Sequence, residues 1–458
     1  MGKGDSALRG TILTVGANFI IRFATIITGV LTARILGPSG KGALSAVMLW
    51  PMIIAGLGTL GCHWVLARRA AERPESYPDV SRLGVFSTLG LAVFVLPVGY
   101  FILPSLLPPD KQDLVWYSRL MLMFIPFNFI ITCLQSMDQG MGRFARYNAM
   151  TTSVTLINMA LLVIIWFVDI GTVFYFVIAM LITNLAVGAA RIGVSLGSLM
   201  AGRPVRIRDG VTLIREGLPF LPTTVGLYCD RKLDTVVAVT LLSSRQVGLY
   251  DAAFTFALAP MFIPSALAVV AFSAIARRKD RAETGRAFAA AFRQSGILCA
   301  VLMLGTAALV PVAVPFLFGN RFTGAVTPCF IMVLIFPLRS LGRLQDEALR
   351  AIGEPIPGFI ALAVAMCANL ALGIPLALKF ELIGLASSVM LAEFIRCGIL
   401  TYYVKNRFSL ATSDLWKWRV QDIRSLLDRM MSLLPPRLRR PLLSVFPYMP
   451  GFVRYFVP

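Results

Sequence analysis

Apolar runs of about twenty residues recur along the whole chain, and each is long enough to cross a roughly 30 Å hydrocarbon core as a helix. Hydrocarbon offers the backbone no hydrogen-bond partners, so a spanning chain must be helical or a closed barrel. The runs here are continuously apolar rather than alternating, which selects helices. They fall at roughly 10–36, 42–67, 83–105, 113–137, 147–168, 171–198, 217–241, 247–275, 288–316, 323–350, 357–377 and 383–404. Composition agrees: 57% of the 458 residues are hydrophobic and 14% are charged, against about 25% charged in a soluble domain. The first run is too long for a cleavable signal peptide and is interrupted by Arg22. The expected fold is an all-α integral membrane protein of about twelve transmembrane helices.

The formal net charge is +20. On a soluble protein that would suggest nucleic acid as partner. Here the basic residues gather in alternate loops, and no nucleic-acid role is expected. One set holds Lys3 and Arg9; Arg68, Arg69, Arg73 and Arg82; Arg143 and Arg146; Arg203, Arg206, Arg208 and Arg215; and Arg277, Arg278, Lys279, Arg281 and Arg286. The other set holds only Lys41, Lys111, Arg245, Arg321 and Lys379. Cytoplasmic loops carry the basic excess, so both termini are expected in the cytoplasm. The connections are too short for a folded soluble module. Nor does the chain carry a phosphate-binding loop, a nucleophile–base pair or metal-ligand spacing. No catalytic residue, metal or cofactor is expected. The seven cysteines lie in apolar segments without paired spacing and read as small hydrophobes, and His63 beside Trp64 reads as packing.

Charge inside the spans is the functional signal. Asp230, Arg231, Lys232 and Asp234 interrupt the seventh segment; Arg339, Arg343, Glu347 and Arg350 form one stripe on the tenth; Glu393 and Arg396 lie on the last, and Arg22 on the first. Each charge at mid-membrane depth costs about 2.5–3.5 kcal/mol on insertion scales, so such residues face a partner or a wet cavity. Two readings stay open for the 230–234 cluster: salt bridging that fixes packing, or the lining of a cavity. Glu393 and Arg396, at i and i+3, could likewise satisfy each other, and Asp230 is a candidate partner for Arg22. Arg339 has no carboxylate at i±3 or i±4 of its own helix. Guanidinium groups match phosphate in fork geometry and stay charged. Arg22, Arg231, Lys232, Arg339, Arg343 and Arg396 are therefore the candidate binding residues for something anionic, with Asp230, Asp234, Glu347 and Glu393 as candidates for a coupling ion.

A faint repeat aligns Gly42 with Gly248: one segment ends Leu36-Gly37-Pro38-Ser39-Gly40-Lys41-Gly42 and the other Leu242-Ser243-Ser244-Arg245-Gln246-Val247-Gly248. Two six-helix lobes, 1–200 and 201–405, would follow, with binding expected at their interface. Beyond them, residues 406–458 form a basic tail. Trp416, Val420, Ile423, Leu427, Met430 and Leu434 recur at helical spacing, with Lys417, Arg419, Arg424 and Arg429 largely off that stripe. A helix over 413–434 lying in the membrane interface is the first expectation, and partner binding the second.

With these segments in place the chain resembles the polysaccharide flippases of the multidrug/oligosaccharidyl-lipid/polysaccharide exporter superfamily. The resemblance rests on Leu36-Gly37-Pro38 with Gly42, Ile54-Ala55-Gly56-Leu57-Gly58, Glu216-Gly217-Leu218-Pro219 and the Asp230 cluster, and Val247-Gly248-Leu249-Tyr250-Asp251-Ala252-Ala253. Further along it rests on Phe316-Leu317-Phe318-Gly319, Leu349-Arg350-Ala351-Ile352-Gly353 and Ile383-Gly384-Leu385-Ala386. It implies two lobes around a central cavity and alternating access. It also implies a lipid-pyrophosphate-linked oligosaccharide as cargo, in a bacterial inner membrane. The expected partners are that anionic lipid-linked oligosaccharide, the bilayer, and a glycan polymerase with other assembly proteins. A drug/cation antiporter of the same superfamily is the alternative, disfavoured by the basic interior. A membrane glycan polymerase or ligase is disfavoured by the lack of a large outer loop.

Overall fold

The computed structural model describes residues 3–261, 264, 281–417 and 421–423. Among them the regular structure is helical throughout. The helices are α1 (Lys3–Gly58), α2 (Cys62–Glu72), α3 (Tyr77–Leu106), α4 (Val115–Leu122), α5 (Ile125–Gly140), α6 (Phe144–Val168) and α7 (Val173–Ala201). They continue as α8 (Ile207–Gly217), α9 (Leu221–Leu241), α10 (Ser244–Ala257), α11 (Arg281–Phe318), α12 (Val326–Ala351), α13 (Ile356–Phe408) and α14 (Thr412–Trp416).

Seven of the described helical stretches are long and apolar enough to span, and α4 with α5, bent by 48°, makes an eighth. The expected number is higher because two very long helices are each broken. Gly37 (φ 66°, ψ −178°) interrupts α1, and Glu381 (φ 49°, ψ −126°) interrupts α13. Glycine tolerates positive φ, and Pro38 cannot donate to the preceding turn. Two further segments miss the length or apolarity needed for simple reasons. Charges interrupt α9, and α10 has only 14 described residues, the rest of that expected segment lying outside the described region. Each expected segment thus meets a helix within the described residues, the 247–275 segment only over its first part.

Large apolar side chains point outward: Phe101 is 76% exposed and Phe167 87%. On a water-soluble bundle these would be a liability, but along membrane-length helices they are the surface that lipid covers.

Contacts divide the chain into two compact units. The first is Met1–Phe262, Thr306–Ile335 and Leu362–Ile395; the second is Ile263–Gly305, Phe336–Ala361 and Arg396–Pro458. Within the first, α1 packs chiefly on α10 and α6. The α1–α10 approach is as close as backbones allow, and it is reciprocal. A Cβ on Gly42 would lie 1.7 Å from the Ser244 carbonyl oxygen, and one on Gly248 would lie 1.9 Å from that of Pro38. Each glycine meets the residue four positions before the other, as two helices related by a twofold do. Other features recur at matching places in the two halves of the chain. The 3-10 turns Pro109–Leu114 and Asn320–Ala325 each precede a spanning helix, and Gly142 (φ 70°) and Gly353 (φ 82°) each precede another.

Within the second unit, Phe288, Phe292, Leu341, Leu344, Leu400 and Phe408 form a core that also encloses Leu415 of α14. Arg293 of α11 forks onto Asp422, Nε to Oδ2 at 2.7 Å and Nη2 to Oδ1 at 3.0 Å, and Trp416 meets the Phe292 ring edge-on at 5.3 Å. The start of the tail is therefore docked on protein. Most of the expected 413–434 helix, including Val420, Leu427, Met430 and Leu434, lies outside the described residues.

Candidate functional site

The ionisable cluster of the seventh segment sits on α9. That helix is set against α1 by Tyr228, whose ring occupies the space beside Gly56, where a Cβ would lie 1.9 Å from the ring carbon Cζ. The 3.6-residue repeat then sorts the cluster. Asp234 falls on the buried face, where it accepts a hydrogen bond from the Tyr250 hydroxyl at 2.9 Å and another from the Thr235 backbone N–H at 2.8 Å. Arg231 is exposed, while Asp230 and Lys232 are half-buried. On α1, Arg22 is exposed.

In the second unit, α12 presents Arg339 half-buried, Arg343 exposed and Glu347 half-buried. Arg396 on α13 is half-buried, and Glu393, at 7% exposure, belongs to the first unit. Arg339, Arg343, Arg396, Asp230 and Glu393 all make further contacts within the fold. Arg350, at the end of the expected stripe, pairs at 2.7 Å with Asp346, a carboxylate that the stripe left aside. Gly358 leaves room beside it: a Cβ there would lie 1.9 Å from Asp346 Oδ1.

The structure thus brings Arg22, Asp230, Arg231, Lys232, Asp234 and Glu393 into one unit and Arg339, Arg343, Glu347 and Arg396 into the other. Across both units the most accessible of these charges are cations, and the most buried, Asp234 and Glu393, are acids.

Several charged residues outside this set serve the fold. Arg191 of α7 and Asp138 of α5 form an ion pair with both side chains fully buried. Lys41, at 3% exposure, pairs with Asp251 at 3.0 Å and reaches the Gly29 carbonyl. Lys111, at 1%, donates to the Val239 and Leu242 carbonyls at 2.9 and 2.8 Å, closing the C-terminal end of α9. Arg34 does the same for α11 through Phe316 and Leu317. Unsatisfied carbonyls at a helix end draw such cations. The signal for Arg191 was present, an arginine within the 171–198 run; nothing in the sequence named Asp138 as its partner. His63 packs by Trp64 with its Nδ1 3.2 Å from the Thr59 hydroxyl. No cluster that could hold a metal occurs among the described residues.

The class this defines is a multi-helix membrane protein with charged residues inside its helical segments. Residues 7–279, more than half of the chain, match the family described as polysaccharide biosynthesis protein, and the chain belongs to that family. Among curated relatives, the "Probable low-salt glycan biosynthesis flippase Agl15" of Haloferax volcanii is 20% identical over 245 residues, 53% of this chain and 51% of that protein. The match therefore spans about half of that relative. Solved structures share the fold. A lipid II flippase MurJ in an inward closed conformation superposes with a TM-score of 0.72 at 16% identity, covering 93% of each chain. An inward-facing multidrug resistance MATE transporter of the MOP superfamily gives 0.66 at 16% identity, over 87% of this chain and 98% of that one. A MOP superfamily transporter from Pyrococcus furiosus gives 0.57 at 15% identity, over 88% and 95%. The chain is a multi-pass membrane protein of the polysaccharide biosynthesis family, with the fold that these transporters share.

Proposed function

We propose that the protein flips an undecaprenyl-pyrophosphate-linked oligosaccharide across the bacterial inner membrane for O-antigen, capsule or exopolysaccharide assembly. The observation that carries this reading is the sorting of charge within the spans, with Arg22, Arg231 and Arg343 exposed while Asp234 and Glu393 are buried. Pyrophosphate is a dianionic fork acceptor suited to arginine. In the proposal, Arg22, Arg231, Lys232, Arg339, Arg343 and Arg396 hold the pyrophosphate and any acidic sugars while the lipid tail stays in the bilayer. The lobes 1–200 and 201–405 alternate in access, and both termini, with the 406–458 tail, lie in the cytoplasm. Only a cargo bound more tightly in one state than the other can drive that switch. Asp230, Asp234, Glu347 and Glu393 remain the coupling-ion candidates.

Complementation of a flippase-null strain tests the reading, with membrane abundance measured in parallel. Arg339→Ala is expected to abolish glycan export at normal abundance, and Arg339→Lys to rescue it in part because the fork is lost. Full export by Arg339→Ala, Arg22→Ala and Arg231→Ala would sink the anionic-cargo model. Cysteines placed at Pro108, Asn320 and Phe380 should label from outside, and those at Glu75 and Val205 from inside; the reverse pattern overturns the orientation.

The second reading, a drug/cation antiporter, draws on the shared fold with the MATE transporter. Its cationic substrates would need accessible carboxylates. Restored drug resistance without glycan export in the same strain would favour it.

A further inference from the structure

Away from the charged stripes, the surface of the first unit carries an open recess of about 450 Å³ between the start of α10, the 3-10 turn before α12 and the break in α13. Pockets for small ligands run roughly 300–1,000 Å³. Its polar lining is Ser243, Arg245, Gln246, Thr327 and Glu381, and Phe380 supplies an aromatic wall.

The polar groups are fixed in place. The Ser243 backbone N–H and hydroxyl both donate to Gln246 Oε1 at 3.0 Å, and the Gln246 amide Nε2 donates to the Glu381 carboxylate. The amide is thereby oriented, and the carboxylate keeps acceptor positions beyond the one Gln246 uses. Glu381 holds this place in a backbone conformation suited to glycine, φ 49° and ψ −126°. The corresponding break between α6 and α7 shows that the fold does not demand this. There Asp169 sits at φ 57° and ψ 37°, the ordinary left-handed well for a helix end. Strain of this kind persists where surrounding structure holds a side chain for a purpose.

We infer that this recess is a binding subsite for a sugar residue of the cargo glycan. The inference rests on the glycan-flipping proposal above. One cation and one anion line the recess, so it offers no net charge to select an ion. Hydroxyl, amide and carboxylate groups arrayed beside an aromatic wall match a sugar ring, which has a hydroxyl-rich edge and an apolar face. The recess lies beside Arg245 and Lys379, in the connections that loop charge assigns to the outer side, where a glycan would leave.

Two experiments test it in the complemented flippase-null strain. First, Thr327→Cys is combined with Cys367→Ser, which removes an exposed native thiol. Broken-membrane fragments are labelled with a polar maleimide, from cells that make the lipid-linked glycan and from cells lacking the first glycosyltransferase. Labelling should be about threefold slower where the glycan is present, as occupancy dictates, with no change at Ser105→Cys. Equal rates, or no labelling in either membrane, overturn the subsite. Second, Glu381→Gly removes the carboxylate and relieves the backbone. It should keep normal or higher abundance yet lower export about fivefold; wild-type export by this variant overturns the inference. If the unsubstituted protein fails to restore export, the flipping proposal itself falls. If it restores export and both arms are negative, only the sugar subsite falls.

Discussion

Helices α7 and α9 each carry an arginine among apolar residues, and they use it in opposite ways. On α7, Arg191 is wholly buried and paired with an equally buried Asp138, while Arg191 Nε and Nη1 and Asp138 Oδ1 have no hydrogen-bond partner among the described residues. On α9 the acid, Asp234, is buried and held by Tyr250, and Arg231 is left exposed. The first arrangement spends its charges on each other and on packing. The second keeps a cation accessible. Residue type alone therefore does not mark function; what matters is whether the counter-charge is already inside the protein.

Mutation can break this contrast. The largest stability effect is expected at the buried pair. Asp138→Ala strands a buried guanidinium and should destabilise by about 3–5 kcal/mol, read as collapsed membrane abundance or a lower thermal midpoint in detergent. The double variant Asp138→Leu with Arg191→Met should recover most of that loss, since an apolar pair of similar volume often replaces a buried ion pair at little cost. A stable Asp138→Ala single variant would dissolve the contrast.

A smaller loss is expected at Arg293. Its fork onto Asp422 is slightly exposed, with side chains at 8% and 6%. Asp422→Ala should lower the thermal midpoint by an amount corresponding to about 2–3 kcal/mol, the range for a lost charged hydrogen bond with one group left buried. An unchanged midpoint would mean that Leu415 and Trp416, not the ion pair, hold the tail start. The smallest stability effect belongs to Arg231→Ala, within about 0.5 kcal/mol of the parent as for exposed sites in general, while glycan export falls roughly tenfold or more. A drop in stability without loss of export would place Arg231 with Arg191 as a packing residue.

The helical spans were readable in advance because insertion is a property of each segment against lipid. Both breaks fall in gaps between expected segments, 36–42 and 377–383; Gly37-Pro38 marks the first, whereas the positive φ of Glu381 in the second has no glycine to mark it. The Gly42–Gly248 alignment was visible as a motif, and the structure turns it into a contact between those glycines. Lys41 and Lys111 read as two of the few cations of the outer loops. Both are buried, because a lysine stem is long enough to reach back and satisfy helix-end carbonyls or an acid on another helix. In the tail, the apolar stripe beginning at Trp416 could be covered by lipid or by protein. Leu415, off that stripe, is the side chain wholly buried in the core, and Trp416 rests on Phe292.

By itself, then, the sequence determined that the chain crosses a membrane many times as helices, and how far along each span its charges lie. Hydrophobicity and helix rise are local and nearly additive, so both can be summed along a segment. Tertiary structure alone decided which charges meet. Asp138 finds Arg191, Asp251 finds Lys41, and Asp234 turns to Tyr250. An ion pair or hydrogen bond requires groups within a few ångströms of each other, and most of these partners come from helices far apart in the chain, brought together only by packing.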